Sequence, residues 1–387
     1  MTNLNPDNLL IGCDPEVFVF SKTQDRYVSC HEMLPGTKAA PFAVELGAVQ
    51  VDGLAAEFNI APAASPEEFS HNVKTVISQL KAMIPEDCVL SARPTVEFGE
   101  EYMASLPDEV KELGCEPDYN AYKDGAENAR PNAEVTFRTG AGHIHIGWGE
   151  GFDINDPEHK NVCNILTKQL DYYLGVALAL YDTDDKRRQL YGQKGSYRPK
   201  SYGMEYRPLS NAWLRNEEFY EIIPKLVYAA WDNLKKTYPE TSSPAAVETV
   251  FRKGTKSIHV KGLQDDFISR CGIKLPIAEE LKNKGSSSVE VNNNPFNYTF
   301  TKGSVILTNF EEVAPLLDQT DILWSAGEKP SEYSFNTDKF VCILSGKLLY
   351  IDYAKTANLP QVNLMDHLGT GGSEEVSQFD KETPYFI

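Results

Sequence analysis

The chain has 387 residues, 41% hydrophobic and 24% charged, with 19 Tyr and 18 Phe. Two or three ordinary domains fit that length, and the aromatic content excludes a disordered chain. Lys and Arg number 37 against 56 Asp and Glu, a formal charge of −19, so the average surface repels an extended phosphate backbone and no extended nucleic-acid partner is expected.

The opening MTNLNPDNLLIG lacks a basic segment followed by a long apolar run, and the apolar stretch from Leu174 to Leu180 falls far short of a membrane span. A soluble, unexported, cytoplasmic protein with no membrane partner is expected. The 7 Cys are scattered without a C-x-x-C pair, which suggests reduced thiols in the core and neither a disulfide framework nor a zinc ribbon.

In chain order, Leu9 to Phe20 reads as strand with a polar interruption at Asp14-Pro15-Glu16. Ala43 to Val51, the turn dipeptide Asp52-Gly53, and Leu54 to Ile60 read as a hairpin. Ser65-Pro66-Glu67-Glu68 has the pattern of a helix start, with a cap, a Pro at the first helical position and an acid at the third, opening a helix to about Ile84. The polar stretch from Gly99 to Pro131 reads as an insertion or loop with room for a short helix.

Strand material is expected at Glu134 to Arg138 and at His143 to Trp148, around Thr139-Gly140-Ala141-Gly142. Helical spacing runs from Pro157 to about Tyr181. A Tyr-, Gly- and base-rich segment, Lys186 to Gly203, precedes a short strand at Met204 to Leu209 and a helix from Asn216 to about Thr237, bent near Pro224. Past Thr241-Ser242-Ser243-Pro244 a weakly helical stretch leads to Gly285-Ser286-Ser287-Ser288, and VILTNF, FVCILSG and KLLYIDY then read as strands. The expected division is a catalytic-size domain over 1–240 and linker helices with a β-rich C-terminal domain over 241–387.

Four strand-like segments each place two polar groups at i and i+2: Asp14/Glu16, Glu57/Asn59, His143/His145 and Glu205/Arg207. Strand side chains alternate faces, so each pair points to one side and its apolar neighbours to the other. If the four share a sheet, one face collects carboxylates, imidazoles, an amide and a guanidinium. Glu16, Glu57, Glu205, Asp14 and a His would suit Mg²⁺ or Mn²⁺, hard ions that keep positions for water and phosphate oxygens. Asp52 fits a turn residue, with reach to the same face as the alternative.

The second signal is a local charge reversal. Between Lys186 and Arg207 lie Arg187, Arg188, Lys194, Arg198 and Lys200, against the single acid Glu205. Arg forks onto phosphate oxygens and the interspersed Gly residues let a ligand approach the backbone. A compact polyphosphate bridged by metal to the carboxylates suits both clusters. A basic surface loop that binds RNA through its tyrosines is the alternative.

GCDPEVF, DGLAAEFNIAPA, RTGAGHIHIGW and RRQLYGQKGSYRPKSYGMEYRP, in that order, resemble the carboxylate–amine (COOH–NH2) ligases of the glutamine synthetase and γ-glutamylcysteine synthetase superfamily, closest to the phage-encoded type 2 branch. The resemblance covers roughly residues 9 to 215. It implies an α+β fold with a glutamine synthetase-like curved antiparallel sheet and flanking helices, and an ATP- and Mg²⁺-dependent ligase acting in the cytoplasm of an infected host cell. It implies metal held by Glu16 and Glu57 with Asp14 and Asn59 in support, by Glu205, and by His143 or His145, with the other imidazole near phosphate. Arg198 falls on the phosphoryl-stabilising arginine, Arg207 on a phosphate or substrate clamp, and Arg138 on a holder of the substrate carboxylate. Arg188, Lys194, Lys200 and His145 are the expected nucleotide contacts.

The expected chemistry is activation of a carboxylate as an acyl phosphate, followed by capture by an amine, with small-molecule or peptide substrates. No protein nucleophile is needed. Two alternatives are a guanidino kinase-like phosphotransferase on the same sheet and a virion or scaffold protein that binds nucleotide without turnover.

Overall fold

Asp14-Pro15 interrupts an apolar run, and the chain uses the interruption to serve two sheets. The computed structural model describes residues 9–111, 118–128, 136–237, 244–255, 258–282 and 377–387, with strand segments at 289–290, 298–301, 304–307, 324–326, 339–344 and 347–352. The fold is mixed α and β, with antiparallel sheets and flanking helices. It divides into two compact units, Met1–Ala278 with Glu375–Ile387, and Glu279–Glu374.

The strands of the first unit are β1 (Leu10–Cys13), β2 (Glu16–Ser21), β3 (Arg26–Val28), β4 (Phe42–Val44), β5 (Gly47–Asp52), β6 (Ala55–Ile60) and β7 (Cys88–Ser91). They continue with β8 (Thr95–Glu97), β9 (Tyr119–Asn120), β10 (Ala126–Glu127), β11 (Phe137–Thr139), β12 (Ile144–Gly147), β13 (Ser196–Lys200) and β14 (Gly203–Tyr206). One sheet has the order β1-β12-β14-β13-β9-β10 and another β3-β2-β6-β5-β4, with β7 also on β2, while β8 pairs β11.

Residues 10–16 stitch the two larger sheets together. Ile11 and Ala63 exchange backbone hydrogen bonds of 2.9 Å, and Phe58 N donates to Pro15 O at 3.2 Å. On the other edge, Asp14 N and Glu16 N donate to His143 O (3.4 Å) and Ala141 O (2.9 Å). Pro15 has no N–H to contribute, and the register changes across it. The single sheet expected for the four polar pairs is therefore two sheets joined along this segment.

Helices cover the apolar face. Pro66–Met83 starts as expected: Ser65 Oγ accepts from Glu68 N at 3.1 Å and Glu68 Oε2 from Ala64 N at 2.7 Å. Its buried stripe includes Phe69, Val73, Val76, Ile77 and Leu80. It packs on β5 and β6, while Pro157–Leu170 packs on β13 and β14, and Phe219–Thr237, with Pro224 inside it, contacts both helices. Ile11, Cys13, Ile144, Ile146, Met204, Tyr206, Tyr197, Val17, Phe58 and Val49 fill the core beneath, so Cys13 is core as its strand position implies.

Three readings change. The Gly99 to Pro131 stretch supplies two short helices and the strands β9 and β10, and β9 extends the sheet by pairing with β13. The basic segment, read without regular structure, contains the helix Asp185–Leu190 and β13. β9 and β13 are paired through a partner's backbone rather than marked by their own apolar pattern. The helix expected to run evenly to Tyr181 widens into a π-helix over Asp171–Val176.

In the second unit, Val289–Glu290, Tyr298–Thr301 and Ser304–Leu307 form one antiparallel sheet, and Trp324–Ala326, Lys347–Asp352 and Lys339–Leu344 another. Of the sequence readings, residues 112–117, 129–131, 134–135, 241–243, 256–257, 283–288, 308–310, 345–346 and 353 lie outside the described residues. Among the described residues, no helix is long and apolar enough to cross a membrane. Cys13, Cys30, Cys88, Cys163 and Cys271 are free thiols.

Candidate functional site

Strand register assembles the site. Gly12 lies opposite His145, His145 opposite Glu205, and Glu205 opposite Arg198, so one row crosses β1, β12, β14 and β13. Across the stitch, Glu16 lies opposite Glu57 and Glu57 opposite Gln50. Side chains two residues away share the face, which adds Asp14, His143, Asn59, Asp52, Lys200 and Arg207.

The glycines of the Thr139 to Gly142 turn are there for close approach. A Cβ on Gly140 would lie 2.2 Å from Asn211 Nδ2, and one on Gly142 2.1 Å from Ser210 O. This contact seats the turn against Ser210–Trp213, and Ala141 N donates to Glu16 Oε2 at 2.9 Å.

Glu205 is the hub of the basic half. It is fully buried and faces His143 Nδ1 (3.2 Å), Arg198 Nη1 (3.2 Å) and Lys200 Nζ (3.0 Å), and it pairs with Arg207. Burial disfavours its charge, but Arg207, His143, His145 and Arg198 together hold the carboxyl well below the usual range. Asp14 Oδ1 lies 3.0 Å from His145 Nε2 and 3.4 Å from His143 Nδ1. Burial raises the Asp14 carboxyl most strongly, but the His145 charge together with hydrogen bonds from His143 and His145 lowers it further than burial and Glu205 raise it, so Asp14 is held ionised. Burial and Arg207 push His143 down to about 4, whereas burial of His145 is outweighed by the Asp14 charge and hydrogen bond together with Glu205, which raise it.

The acidic half lacks such compensation. Burial, then Asp52, raises Glu16 to about 7, and burial with Asp14, Glu16 and Asp52 raises Glu57. Gln50 Nε2 donates to Glu57 Oε2 at 2.9 Å, and Lys38 Nζ reaches Asp52 at 2.7 Å. Asp52 thus ends β5 at the turn and also contributes charge to the face.

Asp14, His145 and Glu205 each offer one ligand atom, all within 4.8 Å of one another. Asp14 Oδ1 and His145 Nε2 are buried and face one another at 3.0 Å. Buried oxygen and imidazole donors beside carboxylates short of positive charge are the donor set a hard divalent cation requires.

Asp14, Glu16, Glu57, His143, His145, Arg198, Lys200, Glu205 and Arg207 are thus gathered on the joined sheets. The other expected residues are engaged elsewhere. Arg138, on β11, donates to Phe137 O and Lys111 O, both at 2.9 Å. Arg188 pairs with Asp182 (3.0 Å) and Asp185 (3.1 Å), and Lys194 with Glu248 (2.5 Å).

Several residues make contacts at the face that no sequence motif marks. The Tyr202 hydroxyl bonds His145 Nδ1, leaving Nε2 directed at Asp14. Asp118, from the stretch read as a loop, lies 3.7 Å from Arg207 Nε. Arg187 is buried, donates to Pro208 O at 2.8 Å, and has no partner at Nε. Burial lowers it to about 10 against the opposing pull of Glu16. Only its place in the basic run marked it, and that mark was shared by every neighbour.

No curated protein matches the chain. The family model described as Phage phiEco32-like COOH.NH2 ligase-type 2 matches residues 121–267, a span that carries His143, His145, Arg198, Lys200, Glu205 and Arg207, and the match supports that ligase family.

Proposed function

We propose that this protein is an ATP- and Mg²⁺-dependent carboxylate–amine ligase that forms an amide through an acyl phosphate, on a glutamine synthetase-like sheet. The observation that carries the reading is the polarised face. Carboxylates of Asp14, Glu16, Glu57 and Asp52 adjoin the cations Arg198, Lys200 and Arg207, with His143 and His145 between them. The family match over residues 121–267 supports the reaction class.

Asp14, Glu16, Glu57, Glu205 and an imidazole would hold the metal, which supplies charge neutralisation on the phosphates. Arg198, Lys200 and Arg207 would bind the anionic oxygens. The substrate carboxylate oxygen attacks the γ-phosphorus and the bond to the β–γ bridging oxygen breaks, releasing ADP. The amine nitrogen then attacks the acyl carbon, the C–O bond to phosphate breaks, and phosphate leaves with loss of an amine proton. The protein contributes position and charge rather than a nucleophile.

Titration with Mn²⁺ followed by ATP, read by electron paramagnetic resonance, tests the site. Saturable Mn²⁺ binding that tightens with ATP and is lost in Glu57→Ala supports it. Binding unchanged in Glu57→Ala and in Asp14→Ala would remove the metal face from the account.

A further inference from the structure

The last residues return to the first unit after the chain has passed through the second. Asp25 accepts from Gln378 N (3.1 Å) and Phe379 N (2.7 Å), anchoring the short helix Gln378–Glu382. Phe379 and Phe386 lie against Phe20, with ring centroids 6.2 and 5.6 Å away. Ala92 N donates to Tyr385 O at 2.8 Å and Ile387 N to Leu90 O at 3.1 Å, so the segment lines the edge of β7.

At its centre is Glu382, 1% exposed. It accepts from Tyr27 Oη at 2.5 Å and Gln378 Nε2 at 2.7 Å, and it pairs with Arg93. The Arg93 guanidinium also lies 4.6 Å from the centroid of the Tyr385 ring. A buried carboxylate held by three donors fixes its partners firmly.

Arg93 leads to the polar face by two routes. Asn211, fully buried, donates from Nδ2 to both Arg93 O (3.2 Å) and Glu16 O (2.8 Å). Pro94 O accepts from Gly140 N at 2.9 Å, and the next residue, Ala141, donates its N–H to the Glu16 carboxylate at 2.9 Å. Backbone and side chain of Glu16 are thus both tied to Ala141, whose turn is hydrogen-bonded to Pro94, the residue after Arg93.

We propose that residues 377–387 form a strap that positions Glu16 for cation binding, with Arg93 and Asn211 as the positioning residues that connect them. The role of Glu16 as a ligand rests on the reading above; the mechanical coupling does not. Loss of the Glu382 charge frees Arg93 and loosens the Glu16 backbone without touching the polar face itself.

The test uses the full chain carrying Glu382→Gln, Asn211→Ala and both together, with Tyr385→Leu as a second strap variant should Glu382→Gln fail to fold. Amide hydrogen exchange is read at Glu16 and Ala141, with Ala48 as the internal reference, and Mn²⁺ affinity is measured alongside. Glu382→Gln is expected to speed exchange at Glu16 and Ala141 selectively and to weaken Mn²⁺ binding about fivefold or more. The double variant should fall short of the product of the single effects, because both act through one connection. Unchanged exchange at Glu16 and Ala141, or effects that simply multiply, overturn the strap. Selective acceleration in a protein whose wild type binds no Mn²⁺ upholds the strap and overturns the cation reading.

Discussion

Asp171 gives a quantitative test of how dry the inner face of the sheet is. It is 0% exposed at the start of the π-helix, where Oδ1 accepts from Tyr206 Oη at 2.9 Å. Burial raises its carboxyl from 3.8 to about 7, against the opposing hydrogen bond from Tyr206. Well below pH 3.8 it is protonated whether the chain is folded or unfolded, so its ionisation costs nothing. Between 3.8 and about 7 the unfolded chain ionises freely and the folded one does not, so stability falls as pH rises through this window. Above the window the full cost is present, roughly 4 kcal/mol by linkage. Asp171→Asn keeps the shape and an acceptor for Tyr206 but removes the charge. It should be no more stable than wild type at pH 4 and roughly 2–4 kcal/mol more stable at pH 8, allowing for an imperfect amide hydrogen bond. Urea unfolding at several pH values measures the difference directly. A stability difference that stays constant from pH 4 to pH 8 would show that Asp171 is solvated or already compensated.

Three further outcomes follow from the geometry. Glu205→Gln removes the carboxylate shared by Arg198, Lys200 and Arg207; partial solvent screening of those cations puts the expected loss near the low end for a broken buried pair, about 3 kcal/mol in urea unfolding, with loss of activity. Tyr202→Phe leaves His145 without its Nδ1 partner and should weaken Mn²⁺ affinity about 10–100-fold while melting behaviour changes little, as calorimetry and thermal unfolding would show. Gly140→Ala places a methyl 2.2 Å from Asn211 Nδ2, and forced repacking there should cost about 1–3 kcal/mol and speed amide exchange at Glu16.

The polar pairs were legible because alternation is a property of the strand backbone itself. Asp14/Glu16 and His143/His145 needed only a spacing of two and apolar neighbours to be placed on a common side. Which strands would meet was not legible. The opposition of His145 and Glu205, and of Glu16 and Glu57, depends on long-range register, and the stitch at Pro15 uses a break that reads from sequence as a simple interruption. β9 is a two-residue strand whose pairing is supplied by β13, so no local pattern marks it. Asn211 and Glu382 are likewise invisible locally. Their importance comes from long-range hydrogen bonds, spanning up to 195 and 355 positions of sequence.

The basic run shows the converse. Its charge density drew attention to Arg198, Lys200 and Arg207, which meet Glu205 on the face, yet a count of cations does not distinguish them from those paired away from it. Arg188 and Lys194 have carboxylate partners from Asp182, Asp185 and Glu248. The two-residue period again decides for Arg198 and Lys200, which share a strand face.

The most direct measurement is incubation of the protein with Mg-ATP, a panel of candidate carboxylates and hydroxylamine, following acyl hydroxamate and ADP together. A carboxylate–amine ligase yields hydroxamate and ADP in equal amounts for at least one acid, and both are abolished by Glu57→Ala and Arg207→Ala. Hydroxamate formation that persists in full in both variants would contradict the site, and ADP released with a phosphorylated guanidino product but no hydroxamate would contradict the ligase itself.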